Sequence, residues 1–233
     1  AVTLLAKLAR RKGWLCENPA ADIELLKVPD DRKKPHRPWT DSAVETLRND
    51  AEDLPRLIFE LGVGSVQRPG DLNGFTWRHY DRTNLKLIQN KTGVELLLPC
   101  TPNLKRELDR LKATLGDRAD PDRPILANED GSAMSYFKIA RVMRNERKRL
   151  NLLAHDLHAL RYRGVMELAW AGCDDDEIMS YSGHKTKKMV IKYAGFARQI
   201  LRAETAAEKG SLWEQLLNET STERETDTRD DTQ

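Results

Sequence analysis

Two short apolar runs, LKLIQN at 85–90 and VELLLP at 94–99, stand either side of KTG in a chain whose other periodicity is helical. Strand-like runs around a glycine-containing turn predict an antiparallel hairpin. A lone hairpin cannot bury its apolar face, so helices must cover it. The expected fold is mainly α, of α+β type: a helical domain with a small antiparallel sheet.

The helical segments can be placed by their punctuation. VTLLAKLARRKGW carries Val2, Leu5 and Leu8 on one face and reads as an amphipathic helix. ENPAADIELLKVPDDRKKPHRPW, rich in proline and charge, reads as an extended linker. Thr40 or Ser42 can then cap a new helix, and Ser42 and Glu45 have capping-box spacing. Further helices are expected over about 41–50, 53–63, 69–77, 134–149, 156–171, 174–181 and 195–207, and along TPNLKRELDRLKATLG. Beyond Gly210, SLWEQLLNE offers Leu212, Trp213, Leu216 and Leu217 as one apolar face. TSTERETDTRDDTQ has no hydrophobe to offset its ordering entropy and is expected to be disordered.

Composition narrows the partners. The chain carries a net charge of +2, but residues 206–233 hold eight acidic against three basic side chains, so the tail's −5 leaves +7 on residues 1–205. A basic body favours a polyanion. No run approaches the length of a membrane span, and the first residues lack a signal peptide's layout, so a cytoplasmic protein without membrane contact is expected. Cys16, Cys100 and Cys173 are too scattered for a disulfide framework or a zinc knuckle. His155, His158, Cys173 and His184 match no zinc spacing, and Asp174, Asp175, Asp176 and Glu177 suit the start of a helix. No metal or other cofactor is implied.

The chemistry concentrates elsewhere. In HALRYRG, His158 and Arg161 are three positions apart and project from one helix face. Gly183-His184 follows, then Tyr193 in IKYAG; upstream, GSVQRPGDLNGFTW carries Arg68, and QNKTG sets Lys91 on the hairpin tip. Each has a bland alternative: Arg68 pairing with Asp71, Lys91 a solvated turn residue, His184 a satisfied core histidine, Tyr193 a core aromatic.

In that order, the Arg, Lys, His-x-x-Arg, Gly-His and Tyr elements resemble the tyrosine recombinase (phage integrase) family over about residues 38–205. Arg68, Asp71 and Trp77 also match the family's spacing of an arginine, an acid and a tryptophan. HDLH at 155–158 imitates the family's HDLR, but the second arginine stands eleven residues before Gly172, at Arg161, which makes His158 the matching histidine.

The resemblance implies the DNA breaking-rejoining fold. It divides the chain into 1–37, the last helix and linker of a truncated N-terminal DNA-clamping domain; 38–207, the catalytic domain; 208–219, a C-terminal helix that subunits can exchange; and 220–233, a disordered acidic tail. The expected activity is site-specific recombination or integration through a 3′-phosphotyrosyl intermediate, independent of metal and ATP. Tyr193 would attack, Arg68 and Arg161 clamp the phosphate, Lys91 protonate the departing 5′ oxygen, His158 move the nucleophile's proton and His184 hold a phosphate oxygen. Lys185, Lys187, Lys188 and Lys192 would meet the DNA backbone. Expected partners are double-stranded DNA sites, further copies of the chain (a dimer on one duplex, a tetramer on two) and accessory DNA-bending proteins, in a phage-encoded or nucleoid-associated setting. The alternatives are type IB topoisomerase-like relaxation and a non-catalytic DNA-binding relic.

Overall fold

The computed structural model describes residues 2–19 and 37–230, with side chains over 4–19 and 37–218. The chain divides into two units, Ala1–Pro35 and His36–Gln233. In the first, α1 (Val2–Arg11) buries Ala6 and ends on Arg10 and Arg11, where positive charge complements the helix dipole. Most of the expected linker lies outside the described residues.

The second unit is the helical body, with α2 (Asp41–Asp50), α3 (Asp53–Gly64), β1 (Asn84–Ile88), β2 (Glu95–Pro99), α4 (Pro102–Leu115), α5 (Tyr136–Arg149), α6 (Ala159–Trp170), α7 (Asp175–Ser182) and α8 (Lys187–Asp230). Local chemistry sets several starts. The Thr40 hydroxyl accepts from the Ala43 N–H at 3.3 Å, so Thr40 caps α2 and the expected box between Ser42 and Glu45 is not used. Thr101 caps α4 just ahead of Pro102, a residue that gives up no hydrogen bond in the first turn. The strands pair antiparallel in the register Leu85↔Leu98 and Leu87↔Leu96. Those four leucines form the buried face, each contributing about 1.5–3 kcal/mol, while Ile88 and Leu97 face outward. The core joins this face to α3, α4, α5 and α6 through Leu57, Ile58, Phe59, Leu61, Leu104, Leu108, Ile139, Met143 and Leu160.

Helix α6 is buried nearly all round and packs against both α3 and α8. Its N-terminus is tied by Asp156, whose carboxylate accepts the Ala159 N–H at 2.8 Å. Arg163 fastens its middle to the chain before α2, donating to the Trp39 carbonyl at 3.1 Å and pairing with Asp41 at 2.6 Å. His155 stacks on Trp39 at 5.2 Å, a packing contact beside the helix start.

Two expectations differ from the structure. Residues 69–77 form no α-helix but two 3₁₀ turns, Leu72–Gly74 and Trp77–His79. Pro69-Gly70 and Asn73-Gly74 punctuate the segment. The Trp77 N–H leaves it altogether and donates to the Arg123 carbonyl at 3.1 Å. At the other end, α8 is continuous from Lys187 to Asp230, where separate helices and a disordered tail were expected. No proline interrupts this stretch, and Gly195 and Gly210 do not stop it, since extending a formed helix costs far less than nucleating one.

Candidate active site

The site begins where α3 ends. Ser65 closes the helix, its hydroxyl donating to the Leu61 carbonyl, and Val66 turns the chain with φ of +54°. A buried β-branched residue in the left-handed region is strained, by roughly 1–3 kcal/mol, and this strained turn delivers Arg68. Arg68 lies 3.9 Å from Asp71 and donates to Gln89 Oε1 at 3.4 Å. Asp71 accepts the Asn90 N–H at 3.1 Å, which ties the hairpin tip, and so its neighbour Lys91, to the arginine turn.

Helix α6 carries the second guanidinium inward. Arg161 is only 2% exposed; its Nη2 donates to the Ser182 carbonyl at 3.0 Å and its Nε to His184 Nε2 at 3.3 Å. Nη1 is buried and makes no hydrogen bond to any described residue. Burial, and then the charge of Arg68, pulls the guanidinium down to about 10, still cationic at neutral pH. Two guanidiniums held together, one with an unmet donor, are a cradle for an anion.

His184 is set by the end of α7. Gly183 caps that helix with φ of +67°, and the Ser182 hydroxyl donates to the Ile178 carbonyl at 2.5 Å. That hydroxyl can then accept from His184 Nδ1 at 2.5 Å, which leaves Nε2 to accept from Arg161. This pattern assigns the neutral Nδ1–H tautomer. Burial first, then Arg161 and Arg68, lowers His184 to about 3.

Gln89, fully buried, joins these parts. Its amide donates to Gln67 Oε1 at 2.6 Å and to the Ser182 carbonyl at 2.9 Å, and its oxygen accepts from Thr92 at 2.6 Å. Nothing in the sequence reading singled out Gln89, although it sits two residues before Lys91. Tyr162 was missed too, although it follows Arg161 directly. Its ring stacks on Tyr193 with centroids 3.8 Å apart and planes 16° apart, and meets the His158 ring at right angles at 5.2 Å.

Arg68, Lys91 and His158 line one open cleft of about 340 Å³, with Asp71, Asn90 and Tyr136. Arg161 and His184 lie close enough to Arg68 to feel its charge, while Tyr193 reaches the group from α8 through Tyr162. All six expected residues therefore lie in one connected neighbourhood of a single chain. Helix α8 is anchored to α7 on both sides of Tyr193: Lys187 pairs with Asp176 at 2.8 Å, and Arg198 bonds Asp175 at 2.5 Å and the Cys173 carbonyl at 2.8 Å. Lys187 is thus committed to an ion pair, Lys192 lies over the Tyr193 ring at 5.4 Å, and Lys185 and Lys188 are exposed. Asp174 and Glu177 form a reciprocal capping box, so the acidic run acts as a helix start. Among the described residues no group of three or more His, Cys, Asp or Glu could hold a metal ion.

Fold and site together define a mainly helical domain in which the turn after α3, a hairpin tip and three further helices gather an arginine pair, a lysine, two histidines and a tyrosine. A model of the Phage integrase family matches residues 40–199, and the chain belongs to that family. The integrase of Enterobacteria phage 434 is 27% identical over 199 residues, covering 78% of this chain and 52% of that protein. The chain spans about half the length of the curated relatives it matches. Among solved structures, a lambda integrase dimer bound to a COC' core site superposes with a TM-score of 0.62 at 24% identity, over 83% of this chain and 56% of that one. A lambda integrase tetramer bound to a Holliday junction gives 0.62 at 23% identity, over 82% and 56%. The expected fold is borne out.

Proposed function

We propose that this chain is the catalytic part of a site-specific DNA recombinase or integrase that cuts and rejoins DNA through a covalent 3′-phosphotyrosyl link. The observation that carries the reading is the unmet Nη1 donor of buried Arg161, beside Arg68 and within reach of Tyr193. A phosphodiester's nonbridging oxygens supply the acceptors that this pair lacks.

In the proposed step, Tyr193 Oη bonds to the scissile phosphorus and the bond from phosphorus to the 5′ oxygen breaks. The phenol proton leaves towards His158, and Lys91 protonates the departing 5′ oxygen. Arg68 and Arg161 neutralise the charge that builds on the phosphate, the kind of preorganised stabilisation worth several kcal/mol. His184, neutral and accepting from Arg161, keeps that guanidinium aimed; to hold a phosphate oxygen it would switch to the Nε2–H tautomer, with the Ser182 hydroxyl turned to donate to Nδ1. One phosphodiester is exchanged for another, so neither ATP nor metal enters.

Lys185, Lys188 and Lys192, and Lys187 on release from Asp176, would contact the DNA backbone. Residues 1–37 read as the end of an N-terminal DNA-clamping domain, 38–207 as the catalytic domain, and 208–219 as a segment passed between subunits. The lambda integrase dimer bound to a core site and tetramer bound to a Holliday junction support assembly of this chain on DNA, which we read as a dimer on one duplex and a tetramer on two. Accessory DNA-bending proteins and a phage-encoded, cytoplasmic setting belong to the same proposal.

The test is to trap the intermediate on nicked genomic fragments, which lose the short 5′ strand and cannot be resealed. A denaturant-resistant adduct mapped to Tyr193 is expected, and the DNA it carries identifies the site. DNA binding without any adduct at Tyr193 would refute the mechanism.

A further inference from the structure

The proposed step uses Tyr193 and leaves the second phenol beside it without a role. Tyr162, one residue beyond Arg161 on α6, lies flat against the Tyr193 ring at 3.8 Å, close enough for that phenol to perturb the ionisation of Tyr162. The groups facing Tyr162 are Tyr193 from α8, Asp156 and His158 at the start of α6, and Arg161 beside it. A stack of aromatic rings is ordinarily core packing. Here Tyr162 is buried while Tyr193 is only partly so, and the more exposed ring belongs to the proposed nucleophile.

We propose that Tyr162 is a positioning residue for the nucleophile: its ring fixes the plane of Tyr193, and its hydroxyl donates a hydrogen bond to Tyr193 Oη. The inference rests on the strand-exchange reading of the same site. The donated hydrogen bond stabilises the phenolate as it attacks phosphorus and again as it departs during rejoining. Tyr162 keeps its own proton throughout; the proton that leaves is that of Tyr193, taken towards His158. Burial raises the Tyr162 phenol well above its ordinary range, and the hydrogen bond and charge of Tyr193 push the same way. The neighbouring phenol is therefore a donor that does not compete for ionisation. The stack also fills the gap between α6 and α8, so the arginine-bearing helix and the tyrosine-bearing helix are held in register.

The experiment compares wild type, Tyr162→Phe and Tyr162→Leu in single-turnover cleavage of the nicked duplex recovered from the trapped adduct, from about pH 6 to about pH 9. Tyr162→Phe keeps the stack and removes the donor. It should cleave about tenfold more slowly, the size of one hydrogen bond to a charged group. Its pH–rate profile should move about one unit to the alkaline side, with DNA affinity unchanged. Tyr162→Leu, which also loses the stack, should be slower still. A wild-type rate and profile in Tyr162→Phe would overturn the proposal, and so would a slower rate with an unmoved profile, because packing alone gives that result. Tyr162→Phe decides the question even where Tyr162→Leu does not fold. Failure of the underlying reading is distinct: it would appear as a missing Tyr193 adduct in the unmodified protein.

Discussion

Gly183→Ala is expected to damage the protein far more than Gly93→Ala, although both glycines have φ of +67°. The left-handed backbone alone costs an alanine about 1–2 kcal/mol at either position. At Gly93 an added Cβ meets nothing within 4 Å. At Gly183 it would lie 2.5 Å from Gln89 Nε2 and 2.9 Å from Oε1, inside any real contact distance. The Gln89 amide has nowhere to go, because it is fully buried and already bonds Gln67 and the Ser182 carbonyl. Moving it breaks two buried hydrogen bonds at about 1–2 kcal/mol each. The totals are about 3–6 kcal/mol for Gly183→Ala and about 1–2 kcal/mol for Gly93→Ala. At about 2–4 °C per kcal/mol, thermal unfolding should separate the two variants by several degrees at least. Because Ser182 and Arg68 both bond Gln89, any folded Gly183→Ala protein should also cleave its DNA more than about tenfold slower. Equal losses of thermal stability would refute the account of Gln89 as the hub of the site.

Further variants probe individual links. Arg161→Lys keeps a charge but loses the fork that reaches Ser182, His184 and the phosphate together; cleavage should drop about a hundredfold or more while DNA affinity in a mobility-shift assay changes little. The depressed His184 predicts acid sensitivity: between pH 6.5 and about 3 the unfolded chain binds a proton that the folded one refuses. Stability should therefore fall with pH by at most about 1.4 kcal/mol per unit, and calorimetry of His184→Gln should show a flatter slope. Asp174→Ala removes the cap of α7 and should cost about 1 kcal/mol in denaturant titration, with Asp174→Asn restoring most of it.

The legible parts of this protein were those encoded locally. The hairpin announced itself through leucines at alternate positions about a glycine turn, and Asp174 with Glu177 declared a helix start. Arg68, Lys91, His158, Arg161, His184 and Tyr193 could be named because their types and order are distinctive. The 69–77 segment misled because its apolar residues recur at helical spacing while Trp77 spends its N–H on Arg123, a partner that no local window contains. Gln89 was invisible for the same reason. Its bond to Ser182 spans 93 positions, and a lone glutamine at a strand end carries no signature of being buried. Tyr162 had a signal in its place beside Arg161, but its meaning depends on α8 returning to lay Tyr193 against it.

The central claim is that one chain brings its own tyrosine to its own arginine pair. It is tested most directly by mixing two inactive proteins, Tyr193→Phe and Arg161→Ala, on the trapped site and measuring covalent adduct. If Tyr193 works beside the Arg161 of the same chain, the mixture yields no more adduct than either protein alone. Recovery of cleavage in the mixture would mean that the tyrosine of one copy serves the arginines of another, and would contradict the geometry described.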